Sequence, residues 1–256
     1  MPKTGAMTTI SALLVGGPTL HFTYAGLSFL TDPTFDEPRE YPGPITLYKL
    51  TGPAVPASAL GPIDVVLLSH DQHEDNLDAA GRALLPEAPL VLGTEDSAAR
   101  IPHITGLAPW RQHRVGDVVI TAVPALHGPE GAEALTGVVT GFVLEAEGEP
   151  TVYVSGDNAS VDLVREIAGR FPRIDIAVLF AGAANVGRFG DVDLTLNART
   201  ALEAAEVLAD AMIVPVHAEG WFHFSETRER LIGMFEHAGR GDRLRVLTAG
   251  ERAELS

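Results

Sequence analysis

The sequence predicts a mixed α/β fold made of two similar strand-led layers. Three observations carry this reading. Short apolar runs rich in Val, Ile and Leu recur at strand length. Segments with helical spacing stand between them. The second half of the chain follows the same plan as the first. The 256 residues suit one large domain or two small ones, and the apolar fraction is ample for a full core. No internal repeat or low-complexity tract divides the chain, and residues 1–256 are read as a single domain.

Ser11 to Val15 and His21 to Thr31 read as strands joined through the turn Gly16-Gly17-Pro18. The second run contains Gly26 and can itself be a hairpin turning at Tyr24-Ala25-Gly26-Leu27. It ends at Asp32, which is either a turn former before Pro33 or a carboxylate that orients a metal-ligating histidine. Phe35 to Leu60 is rich in Pro and Gly and reads as a long irregular loop, either covering a pocket or lying on the surface.

Ile63 to Leu68 is a buried strand, and Leu77 to Leu85 a helix with Asp75 or Asn76 as its N-cap. Leu90 to Gly93 is a strand, Glu95 to Arg100 a helix and Val118 to Val123 a strand. Gly137 to Leu144 and Thr151 to Val154 pair as a hairpin, followed by a helix over Val161 to Ala168. Ile174 to Phe180 is a strand and Thr195 to Leu208 a helix. Met212 to Val216 is a strand, Thr227 to His237 a helix and Leu244 to Leu247 a last strand.

Composition narrows the function. Cysteine is absent, so disulfides, thiolate metal sites and a cysteine nucleophile are excluded. A net charge of −16 with no strongly basic stretch argues against a nucleic-acid partner. Met1 to Thr9 is a poor secretory signal, and no run reaches the ~18 apolar residues of a membrane span. A cytoplasmic protein acting on a small-molecule substrate is the expectation, and self-association is compatible with it.

The centre of the sequence is Ser69 to Asp78, Ser-His-Asp-Gln-His-Glu-Asp-Asn-Leu-Asp, which switches abruptly from an apolar strand to imidazoles and carboxylates. Neutral imidazole and carboxylate are ligands that zinc accepts. A polar solvated turn is the plain alternative. Asp32, His70, His73, Asp75, His127, Asp157 and His217 all lie at or near the ends of apolar runs. In α/β folds chemistry gathers at one end of the sheet. Each residue alone has a bland explanation, but their joint recurrence does not, and together they can hold one or two divalent ions.

These motifs resemble the metallo-β-lactamase superfamily of metallohydrolases. The matching pieces, in family order, are the loop His70 to Asn76, then His127, then Ser155-Gly156-Asp157, and finally His217. Thr31-Asp32-Pro33, Leu77-Asp78 and Pro215-Val216-His217 look like the ascorbate-6-phosphate lactonase-like branch, which is also similar to N-acyl-phosphatidylethanolamine phospholipase D. The resemblance spans nearly the whole chain. It implies a four-layer αββα sandwich with a metal site at one edge. It also implies a metal-dependent hydrolase in which a metal-bound hydroxide attacks a lactone, ester, amide or phosphodiester. Ligand roles carry over to His70, His127, Asp157 and His217. Zinc is the expected ion and manganese the alternative.

The first motif departs from the family's His-x-His-x-Asp-His. Read from His70, the second histidine has become Gln72. Read back from Asp75, His73 fits and Asn76 replaces the last histidine. A one-residue insertion places His70, His73 and Asp75 all near the metal, with Asp75 orienting or deprotonating the attacking water. Either register loses the closing imidazole, so one tight ion is expected rather than two. A degenerate binding protein of the same fold, without catalysis, is the alternative function. Trp221, Phe222, His223 and Arg188 are candidate pocket residues, with core packing or plain solvent exposure as the rival roles.

Overall fold

A computed structural model describes residues 9–255. The leader reading of Met1 to Thr9 falls, except for Thr9, outside the described residues. The chain opens with β1 (Ile10–Gly16), β2 (Thr19–Tyr24), β3 (Leu27–Thr31), β4 (Arg39–Tyr41), β5 (Leu47–Lys49) and β6 (Val65–Leu67). Next come α1 (Ala79–Leu84), β7 (Leu90–Gly93), α2 (Glu95–Arg100), β8 (Ile104–Gly106), β9 (Gln112–Val115), β10 (Val118–Ala125) and α3 (Glu133–Thr136). The remainder is β11 (Val139–Glu145), β12 (Val152–Val154), α4 (Val161–Arg170), β13 (Ile176–Phe180), α5 (Ala198–Val207), β14 (Met212–Val216), α6 (Arg228–His237) and β15 (Arg252–Leu255).

Two sheets face each other. One has the order β15-β1-β2-β3-β6-β7-β8 and the other β14-β13-β12-β11-β10-β9. Side-chain alternation along the strands builds three cores. Phe22, Phe29 and Leu67 meet Ile120, Phe142 and Val178 between the sheets. Leu30, Val66 and Val91, of opposite parity, pack outward on Leu77, Leu85 and Ile101. Val143, Leu179 and Ile213 pack outward on Val164, Ala201 and Leu231 of the helices. The result is the expected αββα sandwich. β6 and β13 are buried on both faces, which is why they read as continuous apolar runs. No helix among the described residues is long and apolar enough to cross a membrane.

β3 runs parallel to β6, and β12 runs parallel to β13 and β14. β10 is antiparallel to β11, which is antiparallel to β12, so β10 points the same way as β12. The segments that follow β3, β6, β10, β12 and β14 therefore leave the sheets at one edge. These are the segments that carry Asp32, His70 to Asp75, His127, Asp157 and His217.

Four local expectations change. Phe35 to Leu60 is not wholly irregular. It contains the β4–β5 hairpin, which is antiparallel and ties Arg39 to Lys49 and Tyr41 to Leu47. The N-cap of α1 is Asp78, whose carboxylate accepts from Gly81 N, because Asp75 and Asn76 are turned into the functional edge. α5 begins at Ala198 behind the capping box Asn197–Thr200, later than the Thr195 read from apolar spacing. Leu244 to Leu247 is not a strand. Leu244 forms a single bridge to Ile213, and the last strand is β15, paired with β1.

Candidate metal centre

The loop after β6 places two imidazoles together. His70 Nε2 lies 2.9 Å from His73 Nδ1. His127, arriving from β10, completes a group whose potential ligand atoms all lie within 4.8 Å of one another. Asp75, Asp157 and His217 form a second such group. His70 and His73 come together, and Asp75 stands in the second group beside them. Asp71 turns away to Arg100 at 2.6 Å and to Ser97 at 2.7 Å, which pins the loop between the two histidines.

Supporting bonds fix ring orientation. Ser69 Oγ donates to Asp32 Oδ2 at 2.6 Å and sits 2.9 Å from His70 Nδ1. With its own proton committed to the carboxylate, the hydroxyl accepts from His70 Nδ1–H, leaving Nε2 with its lone pair. Asp32 thus reaches His70 only through Ser69, a relay that the sequence does not reveal although Ser69 adjoins His70. Asp32 also accepts from Ser69 N at 2.6 Å and adopts φ +29°. His127 Nδ1 lies 2.8 Å from the Leu194 carbonyl, its acceptor. His217 also has a left-handed backbone, φ +53°. Such strain in non-glycine residues costs ~1–3 kcal/mol and gathers at functional sites. Gly156, at φ +58°, has no room for a Cβ, which would meet Thr140 O at 2.6 Å. It is the turn that delivers Asp157.

The electrostatics suit a cation. Asp32, Asp75 and Asp157 are buried, and among the described residues none of them pairs with Lys or Arg; histidines are the ionic partners of Asp75 and Asp157, while the side-chain donors to Asp32 are Ser69 and Asn76. Burial alone would lower the His217 pKa, but Asp157 and Asp75 outweigh it and raise it to about 10. Burial opposes the ionised forms of Asp75 and Asp157 as well, yet the adjoining imidazoles hold both below the usual carboxylate range. Burial, reinforced by the His73 imidazole, pushes His70 down to about 3. Burial and His127 likewise lower His73. Both rings are then neutral near pH 7, the form a metal requires. Asp75 Oδ1, Asp157 Oδ2 and His217 Nε2 are buried without a hydrogen-bond partner. His217 Nε2 lies 3.3 Å from Asp75 Oδ2 and 3.4 Å from Asp157 Oδ1, close but not aligned for hydrogen bonding. Buried polar atoms are almost always satisfied, and a divalent ion would satisfy these.

His223 Nε2 contacts Asp75 Oδ2 at 2.9 Å. The sequence marks this residue only as a pocket candidate, and its distance of 148 positions from Asp75 hides the contact. Phe222 is exposed, and Trp221 packs on Tyr41 with ring centroids 5.5 Å apart. A cavity of about 360 Å³ opens over His73, Asp75, His127 and His223.

Comparison with known proteins bears on the family and the fold. The family model described as Beta-lactamase superfamily domain matches residues 28–218. A UPF0173 metal-dependent hydrolase of Anoxybacillus flavithermus is 31% identical over 211 residues, covering 75% of this chain and 82% of that protein. Its counterpart in Pyrococcus abyssi is 27% identical over 202 residues, covering 75% and 82%. Among solved structures, an isothiocyanate hydrolase from Delia radicum gut bacteria superposes with a TM-score of 0.82 at 25% identity, covering 95% of this chain and 98% of that one. A possible metal-dependent hydrolase from Veillonella parvula shares the fold with a TM-score of 0.83 at 19% identity, covering 98% and 100%. The chain therefore belongs to the beta-lactamase superfamily, as a metal-dependent hydrolase of the UPF0173 type.

Proposed function

We propose that the centre hydrolyses a small molecule at an electrophilic carbon, with one divalent ion held tightly by His70, His73 and His127. Zinc suits this imidazole set, and manganese is the alternative. A second ion at Asp75, Asp157 and His217 is held more weakly. The observation that carries the reading is the pair of ligand groups, of which His73, Asp75 and His127 line one cavity. A divalent ion supplies Lewis acidity and lowers the pKa of bound water to about 7. Asp75 lines the cavity and keeps Oδ1 without a partner, which supports a role in orienting the attacking water and taking its proton. Ser69 and Asp32 hold His70 in its tautomer, and the Leu194 carbonyl does the same for His127.

Lactones, esters and amides remain in the substrate class. The isothiocyanate hydrolase structure adds isothiocyanates, another carbon electrophile. Phosphodiesters of nucleic acids are disfavoured by the acidic chain. The test is elemental analysis of the protein purified without chelator, then turnover of a panel of lactones, esters, amides, isothiocyanates and bis(4-nitrophenyl) phosphate. Zinc or manganese at one equivalent with turnover of a carbon electrophile is expected. A protein that binds neither metal, or a metal-loaded protein that cleaves only the phosphodiester, overturns the reading.

A further inference from the structure

The cavity above the centre has walls of a different character from its floor. At about 360 Å³ it lies at the small end of ligand pockets, roughly 300–1,000 Å³. One wall is the turn of the β4–β5 hairpin, with Pro44, Ile45 and Leu47. The facing wall is Leu135 of α3 with Val186 and Phe189. Leu135 keeps 57% of its surface accessible while lining the cavity, so apolar area is available there to a ligand. Arg188 is the only Lys or Arg among the lining residues, and its Nη1 donates to the Leu135 carbonyl at 3.1 Å. That bond ties the 185–190 loop to α3. Glu74 lines the same cavity and offsets the charge of Arg188. A dianionic group would find no pair of cations here.

The base of the hairpin wall is also tied to the rest of the chain. Tyr41 donates to Asp36 at 2.9 Å and its ring packs on Trp221. Phe222 N donates to Tyr48 O and Leu50 N to Gly220 O, which joins β5 to the segment bearing His217 and His223. A preorganised wall saves ordering entropy when a ligand binds.

We propose that these two walls select an uncharged, apolar tail, gripped between Ile45 and Leu47 on one side and Leu135 and Phe189 on the other, while the reactive end faces His73 and Asp75. The substrate class is thus a small, neutral, apolar carbon electrophile. The inference rests on the hydrolytic reading of the metal centre.

The test uses a metal-chelating head with a variable tail, so that binding is read apart from turnover. Aceto-, butano- and hexanohydroxamate are titrated calorimetrically into the zinc-loaded protein, together with the anionic succinic monohydroxamate. Affinity is expected to rise by about fourfold per methylene added, the factor for one buried CH₂, and the succinate probe is expected to bind no better than the aceto probe. Ile45→Asp and Leu135→Asp are expected to flatten the series while zinc content stays as in the unaltered protein. A flat series in the unaltered protein, preference for the anionic tail, absence of hydroxamate binding, or a gradient that survives both substitutions overturns the proposal. A clear tail gradient in a zinc-loaded protein that cleaves no carbon electrophile instead counts against the hydrolytic reading alone.

Discussion

Lys49 Nζ lies 2.9 Å from Asp78 Oδ2, and both side chains are almost wholly removed from water. Asp78 also accepts from Phe35 N, Asp36 N and Gly81 N. Its carboxylate thus caps α1 at the end of the metal loop and holds the chain that enters the hairpin. Lys49 Nζ sits 5.6 Å above the Trp221 ring. One buried ion pair therefore joins the metal loop, the cavity wall and the segment between His217 and His223.

Removing one partner of such a pair strands the other charge, at a cost of about 3–5 kcal/mol. Lys49→Met is expected to lose stability in that range by urea denaturation. Lys49→Met combined with Asp78→Asn is expected to recover part of it, since the amide oxygen can still cap α1 and no charge is left alone. A loss under about 1 kcal/mol, as for an exposed pair, would contradict the burial argument.

The Asp32–Ser69–His70 relay makes a non-additive prediction. Ser69→Ala and Asp32→Asn should each weaken zinc binding by ~10–100-fold, the usual effect of losing a ligand's orienting partner. The double variant should be little worse than either alone, because both break one chain of bonds. Competition titration with a chromogenic chelator reads the affinities. Full affinity in both single variants would reduce Asp32 to a turn former.

Gly156→Ala should destabilise the protein by more than about 1 kcal/mol, the cost of a left-handed non-glycine residue, because its Cβ would also press on Thr140 O. The shift should displace Asp157 and lower metal affinity as well. A thermal melt and a zinc titration check the two effects separately. Normal behaviour in both would mean that the loop after β12 adapts freely.

Much of this was legible in the sequence because the strands announce themselves twice. β6 and β13 are apolar on both faces, and each functional residue follows a strand end, so strand and site predict each other. β8, β9 and β15 leave no such signal, because half-exposed residues interrupt any apolar run, as in Gln112–Val115 and Arg252–Leu255. The β4–β5 hairpin was hidden by its proline-rich turn. Its stability comes from Trp221 and Asp78, both far away in sequence. Ser69 and His223 were underrated for the same reason: their roles depend on Asp32 and Asp75, which only the folded chain brings near. Register in the Ser69–Asp78 loop was open because spacing alone cannot show that Asp71 turns outward to Arg100.

The number of ions held tightly is expected to turn on Asn76. The residue is fully buried, and its Nδ2 donates to Asp32 Oδ2 at 3.0 Å and to Asp157 Oδ1 at 3.2 Å. Two carboxylate acceptors on one side assign the amide orientation. Asn76 thus presents hydrogens to Asp157, where the family motif has an imidazole. Its nitrogen steadies two buried carboxylates, and the one atom left to lend to a metal is Oδ1, buried without a hydrogen-bond partner and a weaker zinc ligand than the imidazole it replaces. Isothermal titration with zinc should therefore show one tight site and a second at least tenfold weaker. Asn76→His should narrow that gap by supplying the imidazole, with a thermal melt confirming that the larger ring is accommodated. Asn76→Asp should destabilise the metal-free protein, because a third carboxylate would face Asp32 and Asp157 with no proton donor between them, and excess zinc should restore much of the loss. Two equally tight ions in the unaltered protein would defeat the argument and point to His223, already 2.9 Å from Asp75, as the imidazole that replaces the missing one.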